Sequence, residues 1–248
     1  INDGNFSNYT QAAFQNHHVA TINGGTFNAE NVDAVINCGN AGCTSTNEEH
    51  GKHFTQITGG IFNGGVKRSV GNIEITGGAF TADVSAYVAE GYKSVELNGK
   101  NIVVVDTADT EVAELNDYKF TTVQNAVDAA ADGNTVTLLR DIDLADTVTV
   151  ANKTITLDMA GKTIFNTKDL WDSKPNAWSL ISVRENGNLT ITGNGMLKAK
   201  ADDCYALDTQ EETAKLTVEN GTVIGNISAI YVHPGQVTIK GGNYSIQH

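Results

Sequence analysis

One short phrase recurs along this chain and limits its fold more than any other feature. Alternating apolar and polar residues run into a Gly-Gly or Asn-Gly pair, and a large apolar residue follows. The clear copies are Thr21-Ile-Asn-Gly-Gly-Thr-Phe27, Gln56-Ile-Thr-Gly-Gly-Ile-Phe62 and Glu74-Ile-Thr-Gly-Gly-Ala-Phe80. Looser copies are Leu189-Thr-Ile-Thr-Gly-Asn-Gly-Met196, Leu216-Thr-Val-Glu-Asn-Gly-Thr-Val223 and Val237-Thr-Ile-Lys-Gly-Gly-Asn-Tyr244, and Ile1-Asn-Asp-Gly-Asn-Phe6 is a truncated one. The steps are irregular: Ile22 to Ile57 is 35 residues, Ile57 to Ile75 is 18, Ile191 to Val218 is 27 and Val218 to Ile239 is 21. A second phrase, Ala followed by an apolar residue, accompanies several copies, as Ala13-Phe14, Ala34-Val35, Ala206-Leu207 and Ala229-Ile230.

Alternation puts Ile, Val and Leu on one face of a strand. The glycine pair permits the positive-φ bend that turns the chain at a corner, and the residue after it points back into the core. A unit of this size buries its apolar face only by stacking on the next unit. Asn and Thr take the outward positions, and Asn is also placed to ladder between successive strands. The phrase therefore predicts an all-β chain, a right-handed parallel β-helix whose corners accept insertions. Gly at 25 residues against Pro at 2, with 7% aromatics, agrees with many short strands paired on both sides.

Two segments break the pattern with helical spacing. Asp83 to Glu90 puts Val84, Tyr87 and Val88 on one face, with Asp83 as N-cap and Gly91 as a stop. Thr122 to Ala131 does the same with Val123, Ala126, Val127 and Ala130 before Asp132-Gly133. Both are expected as short capping helices, near 83–90 and 122–131, because an uncovered solenoid end exposes strand edges.

The run Phe120-Thr-Thr-Val-Gln-Asn-Ala-Val-Asp-Ala-Ala-Ala-Asp-Gly-Asn-Thr-Val136 resembles the N-terminal cap helix and first strand of the pectin-lyase-like parallel β-helix superfamily. The run from Ile75 to Val105, with Ala82-Asp-Val-Ser-Ala-Tyr-Val-Ala-Glu-Gly-Tyr92 inside it, resembles the closing segment of repeat-rich surface proteins of gut Gram-positive anaerobes. The superfamily spans lyases, hydrolases, adhesins and phage spikes, so the resemblance implies a fold and an extracellular or cell-surface setting more than an activity. A closing cap here precedes an opening one. Residues 1–105 are thus expected as the C-terminal portion of one β-helix, 106–117 as an acidic linker and 118–248 as the N-terminal portion of another. Both outer ends fall inside repeats, which suits a slice of a tandem array or head-to-tail self-association. The chain opens on Ile1, and we expect a trimmed or processed product.

A formal charge of −13 disfavours nucleic acid and anionic lipid as partners. It suits attraction of Ca²⁺, the one cofactor left open. No stretch approaches the ~20 apolar residues of a membrane span, so no membrane insertion is expected.

Candidate sites lie in insertions. Ala34 to Ile57 carries an added loop, Cys38-Gly-Asn-Ala-Gly-Cys43-Thr-Ser-Thr-Asn-Glu-Glu-His50-Gly-Lys-His53. A disulfide between Cys38 and Cys43 is the preferred reading, with two exposed histidines. Reduced cysteines are a second reading, and a Zn²⁺ site on Cys38, Cys43, His50 and His53 is the third. The ligand spacing is not that of a zinc finger, and Gly51 loosens the histidine pair. Cys204 is left over. His17-His18 alternates faces if it lies in a strand, so at most one of the two is expected exposed.

The insertion Asn166-Thr-Lys-Asp-Leu-Trp171-Asp-Ser-Lys-Pro-Asn-Ala-Trp178 holds both tryptophans of the chain. Trp171, Asp172, Lys174, Asn176 and Trp178 are the candidate ligand-binding set, the rings for stacking on a sugar and the polar groups for its hydroxyls. The competing reading is that the rings fold back to seal the side of the solenoid.

Ala201-Asp-Asp-Cys-Tyr-Ala-Leu207 resembles the paired-aspartate motif of polygalacturonase-type glycoside hydrolases, but that family's Asn-Thr-Asp, Gly-His-Gly and Arg-Ile-Lys partners are missing. Asp202-Asp203 is therefore expected as a polar corner. Arg140 and Arg184 are the arginines available to a lyase mechanism, and neither sits in a visible carboxylate ladder, so no catalytic residue is assigned. The expected function is a non-catalytic extracellular scaffold or adhesin that binds glycan or host protein through its edge loops. The alternatives are a stacked filament subunit and a lyase or hydrolase of acidic glycans.

Overall fold

A computed structural model describes residues 1–37, 53–107, 109–171 and 177–248, and only the backbone of Glu30 and Asn31. The described chain is mostly β, with parallel sheets, and divides into two compact units. The first holds residues 1–111 and 118–121, the second 112–117 and 122–248.

In the first unit the repeated phrase joins two sets of parallel strands. Val19–Ile22, Phe54–Ile57 and Asn72–Ile75 pair side by side, so that Ile22, Ile57 and Ile75 fall in one buried column. After the glycine turn the chain enters Thr26–Asn37, Ile61–Arg68 and Ala79–Phe80, with Asn5–Ser7 on the outer side. Here the residue after each turn makes the core. Phe6, Phe27, Phe62 and Phe80 stack in register at ring separations of 4.8, 4.8 and 4.6 Å, within 13° of parallel. The turn needs glycine for two reasons, seen at Gly60. Its φ is +111°, and a Cβ there would meet the Gly25 carbonyl oxygen at 2.9 Å.

Asparagine ladders are present: Asn63 Nδ2 donates to Asn28 Oδ1 at 2.7 Å and Asn23 Nδ2 to Asn2 Oδ1 at 2.8 Å, and a further pair is buried. Asn16 Nδ2 donates to Asn37 Oδ1 at 3.1 Å and to the Phe54 carbonyl at 3.0 Å, while Asn37 Nδ2 donates to the Val70 carbonyl at 2.8 Å. Asn37 thereby satisfies a corner carbonyl outside the strands, and Asn16 adds a bond to the first carbonyl of the strand Phe54–Ile57.

The helix expected near 83–90 is not formed. Only Ser85–Tyr87 make a single 3₁₀ turn, opened by Asp83 Oδ1 accepting from Ser85 N at 2.9 Å. Eight residues with two β-branched valines gain too little to nucleate a helix, and Val88 is drawn into a parallel bridge with Ile75. A hairpin instead lines the last parallel strand. Tyr92–Leu97 and Lys100–Val105 pair antiparallel around Asn98-Gly99, both at positive φ, and Lys100–Val105 pairs antiparallel with Ala79–Phe80.

In the second unit the helix Val123–Ala129 forms where the spacing places it. Thr122 caps it by accepting from Asn125 N at 3.0 Å. Lys153 Nζ donates to the carbonyls of Val127, Asp128 and Ala130 at 2.7, 3.2 and 3.1 Å, which sets a cation at the negative end of the helix. Gln124 treats an open strand edge as a neighbouring backbone would: Oε1 accepts from Thr149 N at 2.7 Å and Nε2 donates to Thr149 O at 3.1 Å. Within 106–117, expected as a linker, Ala113–Leu115 form a strand that pairs antiparallel with Thr135–Leu138 and buries Ala113 and Leu115.

Beyond the helix the chain visits three parallel sheets in fixed rotation. The first sheet takes Thr135–Leu138, Thr154–Asp158, Asn188–Thr192, Lys215–Val218 and Gln236–Ile239. Ile142–Asp143, Thr163–Phe165, Met196–Lys198, Thr222–Gly225 and Asn243–Ile246 make the second. Val148–Ala151, Ser179–Arg184, Tyr205–Thr209 and Ile230–Val232 make the third. Side chains in register form columns such as Leu157, Ile191 and Val218, all buried, and Val148, Ile181 and Leu207, also buried. The Gly phrase joins sheets one and two, and the Ala phrase starts strands of sheet three. Among the described residues no helix is long and apolar enough to cross a membrane.

Candidate functional site

The 166–178 insertion of the second unit leaves the end of strand Thr163–Phe165 and returns at Ser179–Arg184. Its base is pinned by two buried polar residues. Asn166 Oδ1 accepts from Lys200 N at 2.8 Å, and its Nδ2 donates to the Lys168 carbonyl and to Asp203 Oδ2, both at 2.7 Å. Asp203 Oδ2 also accepts from Leu170 N, and Oδ1 accepts from Trp171 N, each at 2.9 Å. Asp203 is 8% exposed, so these three bonds replace water almost completely. Asp202 beside it is exposed, in left-handed backbone with φ +61°. The two aspartates thus part company: one ties down the insertion and the other is a surface corner. Cys204 is buried against Asn166, and burial pushes its thiol pKa well above the ordinary value, which keeps it protonated.

From this base a row of rings runs across the third sheet. Trp171 and Trp178 are 6.1 Å apart and 27° from parallel. Trp171 meets Tyr205 edge to face at 5.2 Å, Tyr205 stacks on Tyr231 at 4.6 Å, and Tyr231 stacks on His233 at 5.7 Å. The tyrosine faces cover one another, leaving their edges outward, whereas Trp171 keeps 38% of its surface exposed. Burial, with the neighbouring Tyr231 and Asp208 charges, raises the Tyr205 pKa, so its hydroxyl stays a donor.

Beneath the row lies a carboxylate. Ser182, Asp208 and Tyr231 are register partners on the face opposite the core column of Ile181 and Leu207. Asp208 is fully buried, and that burial raises its pKa; hydrogen bonds from Ser182 and Gln210 and the charge of Arg184 pull the other way. Gln210 Nε2 donates to Asp208 Oδ2 at 2.9 Å, and Arg184 Nε donates to Ser182 Oγ at 3.0 Å. Arg184 thus ends its strand with its charge acting on Asp208.

The structure brings Trp171 and Trp178 together as the sequence grouped them, and adds Tyr205, Tyr231 and His233. Asp172, Lys174 and Asn176 lie outside the described residues, as do Cys38, Cys43 and His50. His53 is buried, with its ring 6.3 Å from His17 and 6.4 Å from His18. His17 and His18 are both exposed, against the expectation of at most one, because they form the corner between Phe14–Asn16 and Val19–Ile22 and lie in neither strand. Among the described residues no three His, Cys, Asp or Glu side chains converge as a metal-ligand set. The signal for the added rings was present in retrospect: Tyr205 and Tyr231 each sit beside the Ala-apolar phrase that starts a strand of sheet three.

Comparison with protein-family models, curated proteins and solved structures finds no match to this chain.

Proposed function

We propose that this chain is a non-catalytic extracellular module built as right-handed parallel β-helix, and that it binds a glycan on the aromatic face beside the 166–178 insertion. The fixed rotation of the chain through three parallel sheets supports the helical winding, since parallel crossovers are right-handed in nearly every case. The resemblance to gut surface proteins supports the cell-surface setting. The observation that carries the binding reading is the row Trp178, Trp171, Tyr205, Tyr231 and His233, in which Trp171 keeps 38% of its surface exposed. A tryptophan face offers an apolar surface to the C–H face of a sugar, and phenol edges beside it supply hydrogen bonds to hydroxyls. Asp203 holds the backbone of Trp171 rigidly, so the ring is presented with little ordering cost on binding.

The test is calorimetric titration of the full chain with neutral and acidic oligosaccharides, alongside Trp171→Ala and Tyr231→Ala. Binding that falls about tenfold in Trp171→Ala is expected. Unsaturated products or new reducing ends from acidic glycans would instead establish a lyase or hydrolase.

A further inference from the structure

On the second sheet of the same unit, outward-facing residues make a groove of about 410 Å³ whose lining includes Asp141, Thr163, Phe165, Lys198 and Lys200. We infer that this groove is a second sugar subsite, one that takes a neutral pyranose unit. The inference rests on the glycan-binding reading for the class of ligand; the groove borders the base of the insertion through Asn166 and Lys200, but none of the rings of the aromatic row lines it.

The register builds the groove. Ile164 and Leu197 pair and are buried, so their neighbours Phe165 and Lys198, which also pair, share the opposite face about 5 Å apart. Phe165 is half-buried and offers part of a ring face, and Lys198 is exposed with no ion pair among the described residues. Lys200 is held by Asp169 at 2.7 Å. Asp141 spends one oxygen on Thr163 N at 2.7 Å and is otherwise exposed. The groove therefore holds an aromatic surface, a free ammonium donor and a carboxylate with an open acceptor oxygen. That combination serves the two needs of a pyranose: an apolar C–H face and hydroxyls that both donate and accept. The volume suits one or two sugar units.

Charge decides between neutral and acidic sugars. Lys198 and Lys200 are opposed by Asp141, Asp169 and also Asp143, the register partner of Phe165, whose oxygens accept from Thr167 N and Oγ1 at 2.8 and 2.6 Å. Asp202 and Asp203 also act on Lys200, so two ammoniums face an excess of carboxylates, which on a chain of net charge −13 gives no field that favours an anion.

The experiment titrates the full chain with neutral gluco-, manno- and galacto-oligosaccharides and with tri-galacturonate, by calorimetry and by NMR line broadening of the sugar. One neutral series is expected to bind. Phe165→Ala is expected to weaken it about tenfold. Asp141→Asn, which keeps an oxygen for Thr163 N and so keeps the fold, is expected to weaken it about fivefold. If neutral binding is lost in Trp171→Ala and untouched in Phe165→Ala and Asp141→Asn, the groove is overturned and the aromatic row stands. The reverse pattern overturns the row and supports the groove. Tighter binding of tri-galacturonate, abolished in Lys198→Ala, would make the groove an anion site and overturn the inference. No binding of any sugar by the unmodified chain would overturn both readings.

Discussion

Replacing Asp203 by alanine removes a single acceptor group that three donors share: Asn166 Nδ2 at 2.7 Å, and Leu170 N and Trp171 N at 2.9 Å. Bonds to a charged acceptor contribute about 1.5–3 kcal/mol each, and a buried donor left without a partner costs about 1–3 kcal/mol. The three bonds are coupled, so their sum overstates the loss. The insertion has a cheaper escape, which is to lift off and hydrate its amides. The expected net loss is therefore about 3 kcal/mol for closing the base of the insertion. Hydrogen exchange at the Leu170 and Trp171 amides should then accelerate about 100-fold, since each 1.4 kcal/mol is a factor of ten. Any part transmitted to global stability lowers Tm by roughly 2–4 °C per kcal/mol for a chain of this size. Asp203→Asn should fall between, because its Nδ2 would have to face a donor. Wild-type exchange rates at both amides in Asp203→Ala would refute the assignment of Asp203 as the anchor of the insertion.

Two further outcomes follow from buried groups. Phe27→Ala, which empties a fully buried position between Phe6 and Phe62, should cost about 3–5 kcal/mol by urea unfolding, and Phe6→Ala at the half-buried end clearly less; equal losses would refute the stack as a core element. Asp208 has its pKa raised on folding, so the folded state binds the extra proton and this group's contribution to stability falls as pH rises through the folded pKa. Asp208→Asn should thus raise Tm at pH 7.5, with the gain shrinking as pH falls from the raised folded pKa toward the ordinary carboxylate value of 3.8 and absent below it; a gain independent of pH would contradict burial as the cause.

Features that depend on a few neighbouring residues were legible in the sequence. The Gly-Gly phrase read as strand, bend and inward apolar residue, and Phe27, Phe62 and Phe80 occupy that inward position. Thr122 read as the start of a helix, and it caps one. The reading failed where local preference was weak and a distant partner was strong. Val84 to Val88 has helical spacing, yet Val88 pairs with Ile75. His17-His18 alternates only if it is strand, and it is corner.

The candidate site divides in the same way. The sequence by itself fixed that Trp171 and Trp178 share an insertion between two strands of a stacked β architecture, because both follow from chain neighbours and turn chemistry. It could not say that Tyr205, Tyr231 and His233 extend their row, that Asp203 is an anchor while Asp202 is surface, or that Phe165 and Lys198 share a face. Apart from His233, two positions after Tyr231, those residues meet partners 26 to 37 positions away along the chain, as in Tyr205 to Tyr231 or Asn166 to Asp203. Whether they meet depends on strand register, and a slip of one residue turns every side chain to the other face. Only the packed columns of buried residues on the core side fix that register, so only the tertiary structure decides which surface groups stand together.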